Sequence, residues 1–264
     1  MLVWNFLTQY MRLSEHCYAL TGLGYVPPWS VNAGFIAGSE TTLIVDSGAC
    51  ALAAATVHGY ASAVRPANRI TVINMERHFD HIGGNSYFRD RGIDVYGHVQ
   101  IQRTEDQFQA EIEDFNNAIP SAVRQARHEA EVFFTGTRLE NPNRPISSDT
   151  RMDLGECKIE IILTPGHTPT NLSVWVPRDG VLFCADCVTN GFLPNLDAGT
   201  VVEWREWLRS LDRIERLKPS VLMPGHGPVA MGEDVGRVIE SARRVLEQAI
   251  ADGCSPTSRR AAAG

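Results

Sequence analysis

"NMERHFDHIGGN" (residues 74–85) sets Glu76, His78, Asp80 and His81 within six positions and follows them with Gly83-Gly84-Asn85. It comes at the end of the apolar run "RITVINM" (69–75), which reads as a buried strand. Residues two apart at a strand end point the same way, so Glu76 and His78 are expected to share a side. Asp80 and His81 fall in the turn beyond and can swing toward a second point. Gly83-Gly84 lets the backbone pass close to that point before a helix begins. One strand end can therefore serve two adjacent metal ions.

Three further segments put ligand-type residues on loops at strand ends, where sites are commonly built. "TPGHTPTN" (164–171) carries His167 in a Gly/Pro-rich turn, "LFCADC" (182–187) carries Asp186, and "MPGHGPV" (223–229) sets His226 between glycines. Taken singly, a histidine in a Gly-rich turn is an ordinary solvated loop residue. Four such segments in one chain argue for a built site.

The remainder of the chain bounds the reading. With 264 residues, 44% apolar and 21% charged, it has the composition of a globular protein with one sizeable core. Lys+Arg 24 against Asp+Glu 31 gives a net charge of −7, without the basic excess of a nucleic-acid binder. No apolar run approaches a membrane span. The opening "MLVWNFLTQYMRLSEH" has no basic n-region or small-residue cleavage site, and the six cysteines are scattered. Both features lead to the expectation of a cytoplasmic protein with reduced thiols. Cys184 and Cys187 form a CxxC around Asp186, open to a zinc-finger or redox reading; without a second ligand pair, apolar strand packing is the simpler account.

"NAGFIAG" (32–38) and "TTLIVDSG" (41–48) read as a hairpin, 49–64 as a helix, and "IDVYGH" (93–98) as a short strand. Residues 100–135 turn polar and helical, with Phe108, Ile112, Phe115 and Ile119 at helical spacing. An Asn/Pro-rich loop, "ENPNRPISSDT" (140–150), precedes strands in "CKIEIILTPG", "LSVWVP" and "GVLFCAD". A helix over 201–218 with Trp204, Leu208 and Leu211 on one face, the strand "SVLMPG" and a helix over 234–251 follow. Interleaved strands and helices in both halves predict a layered α/β domain with sheet in the middle. It should span 1–252, with 253–264 a flexible tail.

In their order, E-x-H-x-D-H-x-G-G, the Gly-His-Thr turn, an aspartate after an apolar strand and Pro-Gly-His-Gly resemble the metallo-β-lactamase superfamily of hydrolases, from about Asn32 to His226. The resemblance implies a four-layer αββα sandwich with metals at one edge of two facing sheets, and it places the helical insertion near the active site. It implies one metal held by residues 76, 78 and 167, a second by Asp80, His81 and His226, and Asp186 bridging them. Asp46 matches an aspartate that the family places behind the ligands, although a plain turn residue would look the same. Glu76 departs from the pattern, which has histidine there. It reads either as an exposed residue beside a damaged first site or as a carboxylate ligand in the histidine's place. As a ligand it would be a third carboxylate, and oxygen donors favour manganese or iron, whereas imidazoles suit zinc. Two divalent ions are expected, zinc first, with manganese or iron as the alternatives.

Two metals about 3.5–4 Å apart can hold a hydroxide nucleophile and polarise an acyl carbonyl, with Asp80 as the proton acceptor. No GxSxG nucleophile motif competes. No Lys or Arg occurs between Arg178 and Arg205, where classical lactamases anchor the substrate carboxylate. Only residues 227–264 follow His226, where glyoxalase-II-type enzymes carry a helical domain. The expectation is a hydrolase of a lactone, ester or thioester of a small, partly apolar molecule. Phe108, Phe115, Phe133 and Phe134 of the insertion, with Tyr25, Trp29 and Phe192, are candidate pocket residues, plain packing being the ordinary role of such aromatics. A β-lactamase of the glutamate-variant type and a di-iron redox or oxygen-binding protein are the alternatives.

Overall fold

The computed structural model describes residues 8–23, 31–118, 137–196 and 199–256. Two mixed sheets form its centre. The first orders seven strands as they occur in the chain: β1 (Gln9–Arg12), β2 (Cys17–Leu23), β3 (Val31–Ala37), β4 (Thr41–Val45), β5 (Arg69–Asn74), β6 (Val95–His98) and β7 (Arg144–Ile146). Neighbours are antiparallel from β1 to β4 and parallel from β4 to β7. The second sheet runs from β8 (Thr150–Asp153) through β9 (Lys158–Leu163), β10 (Leu172–Val176), β11 (Val181–Ala185) and β12 (Val221–Pro224) to β13 (Ala230–Met231).

Alternation along the strands sorts their side chains into layers. In β4, Leu43 and Val45 face the other sheet while Ile44 faces outward; in β11, Val181, Phe183 and Ala185 face inward while Leu182 and Cys184 face outward. Both faces of these strands are covered, which is why they read as continuous apolar runs. The outer face of the first sheet packs on α1 (Ala51–Val64), α3 (Asn85–Arg89) and α4 (Glu105–Ala118). The outer face of the second packs on α5 (Val201–Leu217) and α6 (Glu233–Asp252). The result is the αββα sandwich that the resemblance implied. Burying each Leu, Ile or Phe contributes about 1.5–3 kcal/mol. The layers hold without covalent crosslinks, since all six cysteines are free thiols. Cys184 and Cys187 are fully buried in the outer core of the second sheet, as the packing account expects.

Helix α5 shows how local sequence sets one of these layers. Thr200 and Glu203 close a capping box at its start, and Lys218, in left-handed backbone, ends it. Trp204, Trp207, Leu211 and Ile214 form its buried stripe, whereas Leu208 is only partly buried. No helix among the described residues is long and apolar enough to cross a membrane.

Several boundaries differ from the sequence reading. β5 ends at Asn74, so Glu76 and His78 sit in a bend rather than on the strand. The cause lies in Met75, whose N–H donates to Asp46 Oδ1 and whose carbonyl accepts from Leu172 N, which takes its backbone out of the ladder. The Asn/Pro-rich segment contains β7 and leads into β8, and β1 and β2 had no counterpart in the pattern. Edge strands such as β1 and β7 are short and partly polar, and pairing, not periodicity, defines them. The helical insertion is seen as α4; residues 119–135 lie outside the described residues, as does 257–264 of the expected tail.

Candidate metal centre

Four loops bring the ligand-type residues to one edge of the sandwich, and each is held in place by the backbone or by buried amides. The bend at 75–78 leads into α2 (Phe79–Ile82), which carries Asp80 and His81. The His81 carbonyl accepts from Ser47 N at 3.1 Å, Ser47 Oγ at 3.0 Å and Asn74 Nδ2 at 3.0 Å. Asn32 Nδ2 donates to the carbonyls of Pro224 and Gly227 at 3.0 and 2.7 Å, clamping both sides of the His226 turn. A Cβ at Gly225 would lie 1.9 Å from Asp186 Oδ1, so only glycine lets this turn approach. Trp207 of α5 lies edge-on to the His167 ring, with centroids 5.7 Å apart, and donates to the Cys187 carbonyl at 2.8 Å. Two non-glycine residues with left-handed backbone, Asp46 (φ 62°) and Ala185 (φ 43°), flank the cluster. Such strain is tolerated where the surroundings over-determine it.

All seven expected ligands converge. The ligand atoms of Glu76, His78 and His167 lie within 4.8 Å of one another, and so do those of Asp80, His81 and His226. His78 Nδ1 is 2.8 Å from Glu76 Oε1 and 3.2 Å from His167 Nε2. Asp186 Oδ2 is 3.5 Å from His167 Nε2 and 3.3 Å from His226 Nε2, which puts this carboxylate between the two groups. Glu76 is fully buried and aimed inward, contrary to the exposed alternative. Its Oε2, His81 Nε2 and Asp186 Oδ1 are buried without a hydrogen-bond partner. Buried polar atoms are nearly always satisfied, so three inward-facing ligand atoms in one cluster fit bound cations.

Charge in the cluster is arranged the same way. Burial alone would raise the Glu76 carboxyl, but His78, His81 and His167 hold it below the usual carboxylate range. His81 and His226 likewise outweigh burial at Asp80, holding it at about 2. Burial would lower His78, yet Glu76, with Glu111 and Asp80, raises it to about 9. His81 and His226 are pushed well above their ordinary value by carboxylates, while burial keeps His167 below it. The carboxylates therefore hold protons on His78, His81 and His226, and a cation bound there would displace them.

Asp46 is buried and accepts from His81 Nδ1 at 2.8 Å. This orients the ring so that Nε2 faces the cluster. A cleft of about 470 Å³ opens over His78, Asp80, His167, Asp186 and His226, lined also by Phe79, Glu111, Asp114, Thr189, Phe192, Leu193 and Asn195. Phe192, a sequence candidate, is there. Phe108 is not: it is fully buried in the core under α4, where its helical spacing with Ile112 serves packing. The side chain of Phe115, and Tyr25, Trp29, Phe133 and Phe134, lie outside the described residues. A larger groove of about 660 Å³, lined by Asp149, Arg151, Glu160 and Arg213 among others, contains none of the ligands. Sequence reasoning missed Asn32, Trp207 and Leu193; only the Gly-flanked turn at His226 hinted that something must clamp it.

The model for the Metallo-beta-lactamase superfamily matches residues 26–226. The Beta-lactamase-like protein 2 homolog of Caenorhabditis elegans is 32% identical over 91 residues, which are 34% of this chain and 27% of that protein. The hydroxyacylglutathione hydrolase of Legionella pneumophila (strain Paris) is 30% identical over 79 residues, 30% of this chain and 31% of that protein. The aligned segments thus span less than a third of these curated relatives. The crystal structure of the metallo-beta-lactamase FIM-1 from Pseudomonas aeruginosa in the mono-zinc form has a TM-score of 0.68 at 16% identity, covering 92% of this chain and 96% of that one. This likeness shows a common fold. With the family match running from before β3 to His226, the chain belongs to the metallo-β-lactamase superfamily.

Proposed function

We propose that this protein is a dinuclear metal-dependent hydrolase that cleaves an acyl bond in a small, partly apolar lactone, ester or thioester. The observation that carries the reading is the set of three orphaned inward-facing atoms on Glu76, His81 and Asp186, which form one candidate ligand group and share Glu76 with a second group and His81 with a third. Glu76, His78 and His167 would hold one ion, Asp80, His81 and His226 the other, with Asp186 between them. When bound, such ions supply Lewis-acid polarisation of an acyl oxygen and a water-derived nucleophile at neutral pH. Four imidazoles suit zinc; three carboxylates widen the choice to manganese or iron.

The chain's own residues supply the rest. Asp80 lines the cleft and stays ionised, so its carboxylate accepts hydrogen bonds from the attacking water and takes its proton. Phe192 and Leu193, at 41% and 63% exposure, form an apolar lip over which the acyl portion lies. No Lys or Arg is among the described lining residues, which supports a substrate without a carboxylate to anchor. The β-lactamase alternative is less well supported on that ground.

The test is metal analysis of the purified protein, followed by a panel of lactones, thioesters, esters and a chromogenic cephalosporin with each metal restored. Two equivalents of metal with turnover of an acyl ester or thioester are expected. Turnover of the cephalosporin alone would favour the lactamase alternative, and iron with an oxygen-dependent colour and no hydrolysis would favour a redox role. Protein that binds no metal would sink the proposal.

A further inference from the structure

Arg103, between β6 and α4, is 9% exposed and belongs to no ligand motif. Its Nη1 donates to the Arg77 carbonyl at 3.1 Å and also contacts the Glu111 carboxylate. Its Nη2 donates to the Gln107 carbonyl at 3.0 Å. Its own backbone is fixed by Asn141, whose Oδ1 accepts from Arg103 N and whose Nδ2 donates to Arg103 O, both at 2.9 Å. One planar guanidinium thus links the bend between Glu76 and His78 to the first turns of α4.

We propose that Arg103 is a positioning residue that locks the Arg77 peptide to α4 and so sets the geometry of the Glu76–His78–His167 metal site. Two observations carry this. The first is that Arg77 separates two ligands, so holding its carbonyl fixes the peptide on which their spacing depends. The second is that the His78 side chain is 27% exposed, whereas Glu76 and His81 are fully buried. The core therefore holds His78 least, and its loop depends most on a tether. The Arg103 Nε has no acceptor, and a buried ion pair with an unmatched donor contributes little stability. What the arrangement fixes is position. A lysine keeps the charge but cannot reproduce the fork that meets three acceptors.

The inference rests on the metal-dependent reading, and the test separates the two. Stepwise Co(II) or Zn(II) titration under chelator competition is run with Arg103→Gln in two backgrounds: His226→Ala, which isolates the first site, and His78→Ala, which isolates the second. Arg103→Gln should weaken the first site about 10-fold, in the range for outer partners of a ligand, and leave the second within about 2-fold. Arg103→Lys should fall between wild type and Arg103→Gln, and it stands in if the glutamine variant does not fold. Arg243→Gln, which loses bonds to Asp212 and Glu215 between α5 and α6, is the control for destabilisation alone. Equal loss at both sites, loss matched by the control, or no loss in a folded variant would overturn the inference while the metal reading stands. A wild-type protein that binds neither ion would overturn both.

Discussion

The change Asp46→Asn exchanges a single oxygen for an amide nitrogen at a position 2% exposed. Asp46 Oδ1 accepts from Met75 N and Oδ2 accepts from His81 Nδ1, both at 2.8 Å. An asparagine can keep the first bond through its oxygen, which turns its NH2 toward His81. Two donors cannot face each other, so Nδ1 becomes the acceptor and the ring proton moves to Nε2. That is the atom 3.6 Å from Glu76, 3.5 Å from Asp186 and 4.0 Å from Asp80, the one that faces the cluster. A protonated Nε2 cannot ligate. The backbone survives, because asparagine tolerates the left-handed φ of 62° at this position at least as well as aspartate. The expected loss is about 10–100-fold in affinity at the Asp80–His81–His226 site, or about 1.4–2.7 kcal/mol. Zinc titration against a chelator reads it, with a thermal melt of the metal-free variant to show that the fold is retained. A folded Asp46→Asn protein that binds both ions as tightly as wild type would refute the tautomer argument.

Three other outcomes are expected. Asp80→Ala should abolish hydrolysis without unfolding the chain, because in the proposed function Asp80 is at once ligand and proton acceptor; turnover retained at full metal occupancy would show that it is dispensable. Glu76→His should raise zinc affinity relative to manganese or iron and shift the kinetic pKa of the pH–rate profile downward, since a neutral ligand returns positive charge to the metal pair. An unchanged preference and profile would mean that Glu76 is not a ligand. The metal-free protein should lose stability between about pH 6.5 and 9, because the raised His78 pKa stabilises the fold fully below its ordinary value and the contribution vanishes as pH rises through about 9. A shift from 6.5 to about 9 corresponds to at most about 3–4 kcal/mol. Metal binding should strengthen over the same range as those protons leave. Melts at pH 6 and 9, with and without metal, should therefore slope in opposite directions, and a metal-free melting temperature that rises with pH would contradict this.

Much of the fold was legible because its strands are buried on both faces. Runs such as "TTLIVDSG" and "GVLFCAD" are continuous and apolar, and they are bounded by turn residues. Helix α5 was legible from its Trp204–Leu211 spacing. β1, β2, β7 and the early end of β5 were not. The edge strands β1 and β7 take their identity from a partner, the interior strand β2 has its apolar run broken by Thr21-Gly22, and β5 ends where Asp46 and Leu172, distant in sequence, capture the backbone of Met75.

For the site, the sequence by itself determined the inventory and order of the ligand-type residues, because short loops at strand ends carry their chemistry locally. Only the tertiary structure decided what those residues meet. It showed Glu76 to be buried and directed at the cluster, and Asp46 to be the partner of His81 instead of a plain turn residue. Phe108 it assigned to the core, and Leu193 to the lip of the cleft. Asn32, Trp207 and Arg103 hold loops that lie far from them in sequence or carry no motif of their own. Their roles follow from the register and packing of two sheets. A local pattern can name a donor atom, but the atom it faces comes from a segment up to 195 residues away.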